Sequence, residues 1–502
     1  MAYQPGTANS RSIPFPVGGW NTRDPLDTME AIYAQKLDNI FPNERAGELR
    51  GGSTSFCAAG LGTGEVSTLT EQVTVAGVRK FIACANGKII DITSGTASDL
   101  GTGFSVNRWQ TIDFRGSKFF FNGTDQPQQY DGTTLSNAVY TGLTDNDLIQ
   151  GTIYRNRLWL VPKNSASLWY GAPNAKTGAL TEFPLDPFLE RGGYIMFATT
   201  WTRDTGISSS QLLVACSSEG EILIYGGADP DAGGVTLVAH LLVSKPLGRR
   251  AYLNYLSDVE IMTQTGVISL ADAMGKVFIP GSGDLTDKIS PTFNDVAKLY
   301  SANFGWQPIL YSNGRRIIYN IPISSGSQSH QYVRNVVSSA WCRFTGMNAA
   351  SWGIYNDAPY YGTFDGKVIK ADTGANDQDA NISFSMFGSY NYYGDREHVK
   401  HFNNVRPIFL ADSNMTLSLT MSVDGDENIS GDTVSVVGTS GALWDSVFWD
   451  TTDWGGQNIS SSDWYAINGI GRSGALKMEG SVKDVRFSVN AFHVTYDLGG
   501  IL

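Results

Sequence analysis

Histidine and cysteine, the residues that most often bind metals or act as nucleophiles, are few in this chain and poorly spaced for either task. There are five histidines in 502 residues. Of these, only His398 and His401 lie three positions apart, and no cysteine or carboxylate is spaced to complete a metal site. The four cysteines, Cys57, Cys84, Cys216 and Cys342, are far apart and form no CxxC pair. We expect surface histidines, reduced and buried thiols, and neither a zinc site nor a disulfide framework.

One acidic stretch looks like the start of a calcium-binding loop. Asp424, Asp426 and Asn428 occupy the first, third and fifth positions of such a loop. Ile429 and Ser435 then stand where the loop needs glycine and glutamate. The sequence therefore does not support a calcium site here.

Other motifs that would indicate catalysis are also absent or incomplete. The glycine-rich run at 60–64 has no following lysine or helix, and no GxSxG occurs. Paired carboxylates could hydrolyse glycosides, but the acidic residues are too numerous to select a pair. Trp444, Trp449 and Trp454 could stack on sugars, although such clusters more often fill a small β core. We expect a protein that is not an enzyme and needs no cofactor.

Recurring turns between short apolar strands organise the chain. The stretch 114–131 shows the unit: a strand, a tight turn at Arg115-Gly116-Ser117, a second strand, then Asn122-Gly123 and a third strand. Asn-Gly and Asp-Gly accept the positive φ that tight hairpins require. Similar polar turns follow apolar strands at Asn86-Gly87, Asn164, Glu219-Gly220, Thr265-Gly266 and Asp365-Gly366. Their spacing, mostly 36 to 56 residues, predicts an all-β protein containing a β-propeller of about six blades.

Composition and pattern divide the chain into three parts. Residues 1–52 are predicted to be an extended N-terminal arm for assembly, in which 29–39 could form a short amphipathic helix. Residues 53–375 are predicted to be the propeller. Residues 376–502 are predicted to be a C-terminal antiparallel, sandwich-like β-domain, because 415–423 alternates with a period of two.

One helix is predicted within the propeller region, beginning near Ser290. Ser290 would cap it, and Pro291 suits the first helical position. Phe293, Val296, Ala297 and Tyr300 recur at helical spacing, so we expect this face to pack on the core.

The charge balance limits the classes of partner. Acidic residues number 48 against 36 basic ones, which gives a net charge of −12, and charged residues make up only 17% of the chain. An acidic chain is unlike a sequence-reading nucleic-acid binder, which depends on basic patches. A weakly charged surface favours coverage by protein partners. The N-terminus lacks the apolar core of a signal peptide, and no apolar run is long enough to cross a membrane.

Several stretches together resemble one family. They are GGWNTRDPL and LDNIFP near the start, PLGRRAYLNYLSDVEIMTQTGVISL, DKISPTFNDVAKLYSANFGWQPILYSNGRRIIYNIP, QYVRNVVSSAWCRFTG, and the terminal TYDLGGIL. These stretches resemble the tail nozzle, or packaged-DNA stabilisation, proteins of short-tailed bacteriophages. The resemblance touches most of the chain, and its motifs are structural.

The resemblance implies a virion structural protein made in the bacterial host cytoplasm and located in the phage tail. It implies a hexameric ring below an adaptor ring and the portal, in contact with tail fibres or spikes. Such a ring would extend the DNA channel, retain the packaged genome and permit its ejection. Double-stranded DNA would pass without sequence-specific binding, and no catalytic residues come with the family.

Two sets of residues are candidates for these roles. Acidic residues in loops could line the channel and repel phosphates, giving it a neutral or negative potential; the candidates are Asp204, Asp229, Asp231, Asp424, Asp426 and Glu427. Apolar residues of the arm could pack along neighbouring subunits; the candidates are Trp20, Ile32, Tyr33, Ile40 and Phe41. The alternative function is a receptor-binding or glycan-processing tail protein on a propeller scaffold, for which we would expect a trimer. A third, an internal or ejected protein, fits the few helical segments poorly.

Overall fold

A computed structural model describes residues 9–204, 209–275, 284–426, 432–436, 459–460 and 463–501. It confirms an all-β protein containing a β-propeller. The N-terminal strands are β1 (Asn9–Pro14), β2 (Gly19–Trp20), β3 (Tyr33–Asp38), β4 (Ile40–Pro42), β5 (Gly47–Leu49) and β6 (Ser53–Cys57). These six strands belong to different β-sheets.

Seven successive sheets in the described part of the chain form the blades. Blade 1 is β7 (Val66–Val73), β8 (Arg79–Ala85), β9 (Lys88–Asp91) and β10 (Ser98–Thr102); blade 2 is β11 (Gln110–Phe114), β12 (Ser117–Phe121), β13 (Gln128–Tyr130) and β14 (Leu135–Asn137). Blade 3 is β15 (Tyr140–Thr141), β16 (Leu148–Tyr154), β17 (Arg157–Pro162), β18 (Ser167–Gly171) and β19 (Gly178–Pro184); blade 4 is β20 (Ile195–Asp204), β21 (Ser209–Ser217), β22 (Glu221–Gly227) and β23 (Val235–Leu242).

The remaining three blades follow in the same way. Blade 5 is β24 (Tyr252–Tyr255), β25 (Asp258–Thr263) and β26 (Gly266–Ser269), followed by helices α1 (Leu270–Gly275) and α2 (Ser290–Tyr300). Blade 6 is β27 (Gln307–Tyr311), β28 (Arg316–Ser324), β29 (Gln328–Asn335) and β30 (Trp341–Phe344). Blade 7 is β31 (Ala349–Tyr355), β32 (Ala358–Thr363) and β33 (Val368–Ala371), completed by β6 from the N-terminal region.

The turns singled out in the sequence occupy one structural position. In each of the six cases, the turn joins the second and third strands of a blade, counted from its innermost strand, which is β16 in blade 3. The doubled interval before Asp365-Gly366 contains blade 6, whose corresponding turn at 325–327 also places a glycine, Gly326, at positive φ. This Ser325-Gly326 turn is not among the six singled out in the sequence, which is why their spacing indicated about six blades and the described residues form seven.

The C-terminal strands form two sheets that pack face to face. They are β34 (Ile382–Gly388), β35 (His398–Ala411), β36 (Met415–Val423), β37 (Asp432–Val436), β38 (Ile459–Ser460), β39 (Tyr465–Gly471), β40 (Gly474–Val482) and β41 (Phe487–Ile501). Their mutual pairings are antiparallel. Phe384 of one sheet meets Phe487 of the other with ring centroids 4.8 Å apart. The predicted alternation holds, because Leu417, Leu419 and Met421 are all buried.

The N-terminal residues join the propeller to this C-terminal region rather than extending as an arm. Strands β2 and β3 lie between β30 of blade 6 and β34, so one ten-stranded sheet runs through both regions. Strands β1 and β5 pair with β41 in the second sheet. The predicted helix at 29–39 is wrong, since β3 occupies Tyr33–Asp38. Long-range pairing on both sides outweighs the weak helical pattern.

The second predicted helix is confirmed as α2, with Phe293 and Ala297 buried and Val296 and Tyr300 packed against the same core. Ser290 is the first helical residue and Ile289 takes the cap position without a side-chain bond, so the predicted cap is wrong. All four cysteines are free and buried, as expected.

Candidate functional site: the axial rim of the propeller

The candidate functional surface lies where the inner strands of the blades end, around the propeller axis. Each inner strand returns through a hairpin tip at this end, and we call these tips the axial rim. In the described residues the rim comprises 74–78, 115–116, 155–156, 256–257, 312–315 and 356–357. The fourth blade contributes Arg203 and Asp204 at the end of β20.

A shared local pattern builds the rim. The last residue of the inner strand is aromatic in five blades: Phe114, Tyr154, Tyr255, Tyr311 and Tyr355. The tips of blades 2, 3 and 7 are two-residue loops in which both residues have positive φ. This conformation matches the right-handed twist of the flanking strands, and so keeps each hairpin tight.

Hydrogen bonds connect neighbouring tips. Gln72 of blade 1 donates to the carbonyl of Gly116 in blade 2 (3.3 Å). The backbone N–H of Arg155 in blade 3 donates to Gln211 of blade 4 (3.4 Å), and the indole of Trp201 in blade 4 donates to the carbonyl of Ser257 in blade 5 (2.6 Å).

Hydrogen bonds also connect the tips of blades 6, 7 and 1. Asn313 of blade 6 donates to the carbonyl of Asp357 in blade 7 (3.2 Å), and the N–H of Asn356 donates to Glu71 of blade 1 (3.3 Å). Bonds that cross from blade to blade hold the tips in fixed relative positions.

Four exposed arginines project from this rim: Arg115, Arg155, Arg203 and Arg315. Arg115 donates to the side chain of Asn174, Arg155 donates to the carbonyl of Gly227, and Arg203 lies over the ring of Trp201. None of the four is paired with a carboxylate among the described residues. By contrast, Arg79 beside the rim is paired with Glu71. The unpaired charged side chains of the described rim are therefore these four arginines and Asp357; the side chain of Asp204 is not among the described ones.

Three of these arginines adopt a backbone conformation that long side chains rarely take. Arg115, Arg155 and Arg315 each have φ near +50°. Glycine or asparagine is the usual residue at such positions, because glycine has no Cβ to clash with the backbone and the short polar side chain of asparagine can hydrogen-bond locally. Two apolar side chains stand beside them almost fully in solvent, Val75 at 89% and Leu256 at 87% exposure. The rim thus presents cationic and aliphatic groups together.

The opposite end of the axis is closed by Arg250. Its guanidinium donates to the carbonyls of Ser67 (2.7 Å) and Trp109 (2.6 Å) and to the hydroxyl of Thr68 (2.8 Å). Burial lowers the pKa of Arg250 to about 10. Arg250 and Arg108 both lie over the ring of Phe304, at 5.1 and 4.1 Å from its centroid. A cavity of only about 200 Å³ lies beside it.

The structure does not bring the predicted channel residues together. Asp204 ends β20 at the rim, and its side chain lies outside the described residues. Asp229 and Asp231 lie on the outer hairpin of blade 4, where both accept from Arg157 (3.0 and 2.8 Å). The Tyr170 hydroxyl also donates to Asp231, and its bond to this carboxylate lowers the pKa of Asp231. Arg157 thus pairs with both of these predicted channel residues.

The other predicted channel residues are in the C-terminal region. Asp424 accepts the backbone N–H groups of Arg472 and Ser473 (2.9 and 2.7 Å), which tie β36 to the turn before β40. Asp426 is exposed beside it. Glu427, like Trp444, Trp449 and Trp454, lies outside the described residues. The six acidic residues thus belong to separate regions of the subunit, and no single acidic surface follows from them.

Three of the predicted assembly residues are buried within their own subunit. Trp20, Ile40 and Phe41 are buried, and Trp20 donates from its indole to the carbonyl of Gln35 (3.0 Å). Their assignment as contacts to other subunits is wrong, because their side chains have no free surface. Ile32 and Tyr33 line a cleft of about 470 Å³ that Val17, Leu285 and Trp341 also border. For these two residues an assembly role stays a prediction.

Sequence reasoning missed the rim arginines and the Arg250 plug. A signal for the rim was present, because an aromatic residue, then arginine, then glycine or asparagine recurs at 114–116 and 154–156. Arg250 gave none, since its partners, two backbone carbonyls and the hydroxyl of Thr68, lie about 140 to 180 positions earlier. The described residues contain no cluster of His, Cys, Asp and Glu that could hold a metal ion. No helix among them is long and apolar enough to cross a membrane.

Comparison with known proteins adds only distant structural likenesses. No family model and no curated protein matches the chain. The extracellular domain of BT4673 from B. thetaiotaomicron is similar at 10% identity and a TM-score of 0.40; the match covers 87% of this chain and 61% of that one. YCF48 bound to D1 peptide is similar at 8% identity and a TM-score of 0.38; the match covers 66% of this chain and 96% of that one. The Mitotic Checkpoint Complex is similar at 10% identity and a TM-score of 0.40; the match covers 64% of this chain and 92% of that one.

Proposed function

We propose that this protein is a structural subunit of a short phage tail, forming a hexameric nozzle ring that extends the DNA channel. In this role the ring retains the packaged genome and allows its ejection. It lies in the virion tail below an adaptor ring and the portal, and fibres or spikes attach to the same assembly. The subunit works as a scaffold rather than as an enzyme.

The observation that supports this proposal most is the spatial convergence of stretches that resemble nozzle proteins. Trp20 of GGWNTRDPL meets Tyr332 of QYVRNVVSSAWCRFTG edge to face, with ring centroids 5.1 Å apart. Gly19 pairs with Trp341, and the Trp341 indole donates to the carbonyl of Leu285 (3.0 Å). Segments about 300 residues apart in the chain thus form one contiguous body around blade 6.

Ion pairs bind the same body together. Arg343 on β30 forms two bonds to Asp38 on β3 (2.8 and 2.7 Å), and Lys288 before α2 pairs with Asp24 (2.8 Å). The amide of Asn335 donates to the carbonyl of Pro42 (2.9 Å). A body stabilised in this way suits a mechanical role, in which load crosses from the propeller to the C-terminal sheets.

Measuring the mass of the purified chain by mass photometry tests the proposal. A species six times the mass of the 54.4-kDa chain is expected. A trimer that cleaves bacterial surface polysaccharide would replace the nozzle with the glycan-processing alternative.

DNA binding is the second measurement. A DNA channel must not bind the passing duplex tightly, and each Lys or Arg contact to a phosphate strengthens binding. We expect a channel of neutral or negative potential and only weak association with a labelled duplex at physiological salt, by fluorescence anisotropy. Tight, salt-sensitive binding of the duplex would contradict the proposed channel.

A further inference from the structure

The axial rim is a basic surface on an acidic chain, and we propose that it binds a second copy of this protein. The contact is between different surfaces of the two copies: the rim of one meets an acidic patch at the opposite end of the propeller of the next. This inference concerns which surfaces are in contact. It can be wrong even if the protein forms the hexameric ring proposed above.

The charge of the whole chain identifies the partner. The net charge is −12, yet Arg115, Arg155 and Arg315 stand on one surface without carboxylate partners among the described residues. The local positive potential of the rim therefore attracts a surface that carries carboxylates, and an acidic chain offers such surfaces. All the exposed basic groups of the rim are arginines, and Val75 and Leu256 accompany them. Arginine is enriched at protein interfaces, and exposed aliphatic groups mark protein rather than nucleic-acid contacts.

A surface with the complementary chemistry lies at the other end of blade 3. The end of β19 and the loop toward blade 4 expose the carboxylates of Glu182, Asp186 and Glu190. Phe188 stands between them with 42% of its side chain exposed, and its ring lies edge-on to Tyr225. We call these four residues the acidic patch. Carboxylates around an aromatic group match guanidinium groups around Val75 and Leu256.

The patch is also firmly held. The backbone N–H groups of Glu190 and Arg191 donate to the buried carboxylate of Glu221. The rim is fixed by its blade-to-blade hydrogen bonds, as described above. Two pre-organised surfaces lose little conformational entropy when they meet. Contacts between unlike surfaces close into a ring when the rotation between copies permits.

Charge reversal tests the contact on the full-length chain. The rim variant carries Arg115→Glu, Arg155→Glu and Arg315→Glu; the patch variant carries Glu182→Arg and Asp186→Arg. The control variant carries Arg45→Glu and Arg486→Glu, which reverse exposed arginines elsewhere. Circular dichroism and thermal unfolding establish that each is folded. We expect the rim and patch variants each to raise the dissociation constant of self-association about tenfold or more, and the control to leave it unchanged.

Mixing the variants distinguishes this geometry from others. The rim variant keeps its acidic patch and the patch variant keeps its arginine rim, so the two should associate in alternation when mixed one to one, because every rim then meets a patch of opposite charge. Combining all five substitutions in one chain should restore association for the same reason, because both partners are reversed. Association of the rim variant equal to wild type, absence of association in the mixture, or duplex DNA binding that disappears in the rim variant would each overturn the inference.

The outcome is separable from that of the proposed function. If wild type and rim variant both form the six-membered ring, only the rim contact is wrong. If wild type is a trimer that cleaves polysaccharide, the nozzle is wrong, while the mixing result still decides the contact.

Discussion

At the scale of single residues, the most consequential charged groups are those buried between blades 5 and 6. Glu260 and Arg334 are nearly inaccessible, and they pair with each other while the Tyr319 hydroxyl donates to the same carboxylate. Burial is the main reason that the pKa of Tyr319 is well above its usual range. The three residues connect β25 to β28 and β29.

Replacing Glu260 with glutamine should destabilise the fold by about 3–5 kcal/mol, because Arg334 would remain buried without its counter-charge. Tyr319→Phe removes only one hydrogen bond and should cost about 1–3 kcal/mol. Urea denaturation measures both values, with exposed Glu48→Gln as the control. A loss from Glu260→Gln no larger than that from the control would mean that the pair is not structural.

Arg250 and its neighbour Arg249 offer a matched pair of substitutions. Arg250→Met deletes three hydrogen bonds at the axial plug and should lower the free energy of unfolding by several kcal/mol, at about 1.5–3 kcal/mol per charged bond. Arg249 makes no hydrogen bond to the described residues, so Arg249→Met should have a much smaller effect. Equal losses from the two variants, measured by thermal unfolding, would show that the plug contributes nothing specific.

At the scale of elements, the N-terminal segment is part of the fold. Phe15, Leu37 and Ile40 are fully buried, and β2 and β3 are interior strands of the ten-stranded sheet. Gly19 lies so close to the Trp341 backbone, at φ +84°, that no larger side chain would fit. The predicted N-terminal arm is therefore built into the folded core through residues 15–49.

Deleting residues 1–50 should yield an insoluble or unfolded product, because β30 and β34 would lose the strands between them and a large core would be exposed. Size-exclusion chromatography and circular dichroism are the measurements. Ile32→Ala, at a partly exposed position of the same segment, should remain folded. A truncated protein that is monodisperse and β-rich would show instead that these residues form a separable arm.

The contact between this segment and the residues before α2 should depend on pH. Hydrogen bonds from Lys288 and Asn21 hold the pKa of Asp24 well below its ordinary value. A depressed pKa stabilises the fold above the unfolded-state value of about 3.9 and ceases to do so as pH falls through the native pKa. Asp24→Asn should therefore cost about 1 kcal/mol at pH 6 and progressively less below about pH 4.

Urea midpoints for wild type and Asp24→Asn, taken from pH 6 down to pH 3, measure this effect. Exposed Asp27→Asn is the control and should track wild type throughout. A difference between wild type and Asp24→Asn that does not shrink on acidification would rule out the ion pair as its source.

At the scale of the whole molecule, one sheet runs from blade 6 through β2 and β3 into the C-terminal strands. The core around Trp20, Phe293, Phe384 and Phe487 is likewise continuous across both regions. Two regions that share strands and a core are expected to unfold together.

Calorimetry should therefore show one cooperative transition, although the sequence predicts separate domains at 53–375 and 376–502. Expressed alone, 376–502 should not fold, because it lacks β1, β3 and β5. Two well-resolved transitions, or a folded isolated C-terminal fragment, would show that the shared sheet does not couple the two regions.

Local chemistry let the sequence predict much of this architecture. Turn residues such as Asn86-Gly87 and Asp365-Gly366 select hairpins through their backbone preferences, and the period of two at 415–423 reports a half-buried strand. The spacing of Phe293 and Ala297 reports a helix packed on a core. Each of these signals lies within a few residues, so no tertiary information is required to detect it.

Tertiary structure alone decided how these elements combine. β6 completes blade 7 about 300 residues later, β3 becomes a strand between partners from distant parts of the chain, and Arg250 finds its acceptors on blades 1 and 2. The axial rim gathers arginines from four blades onto one surface. Pairings at such separations depend on which edges and cavities the rest of the fold leaves open, and no local pattern of residues encodes them.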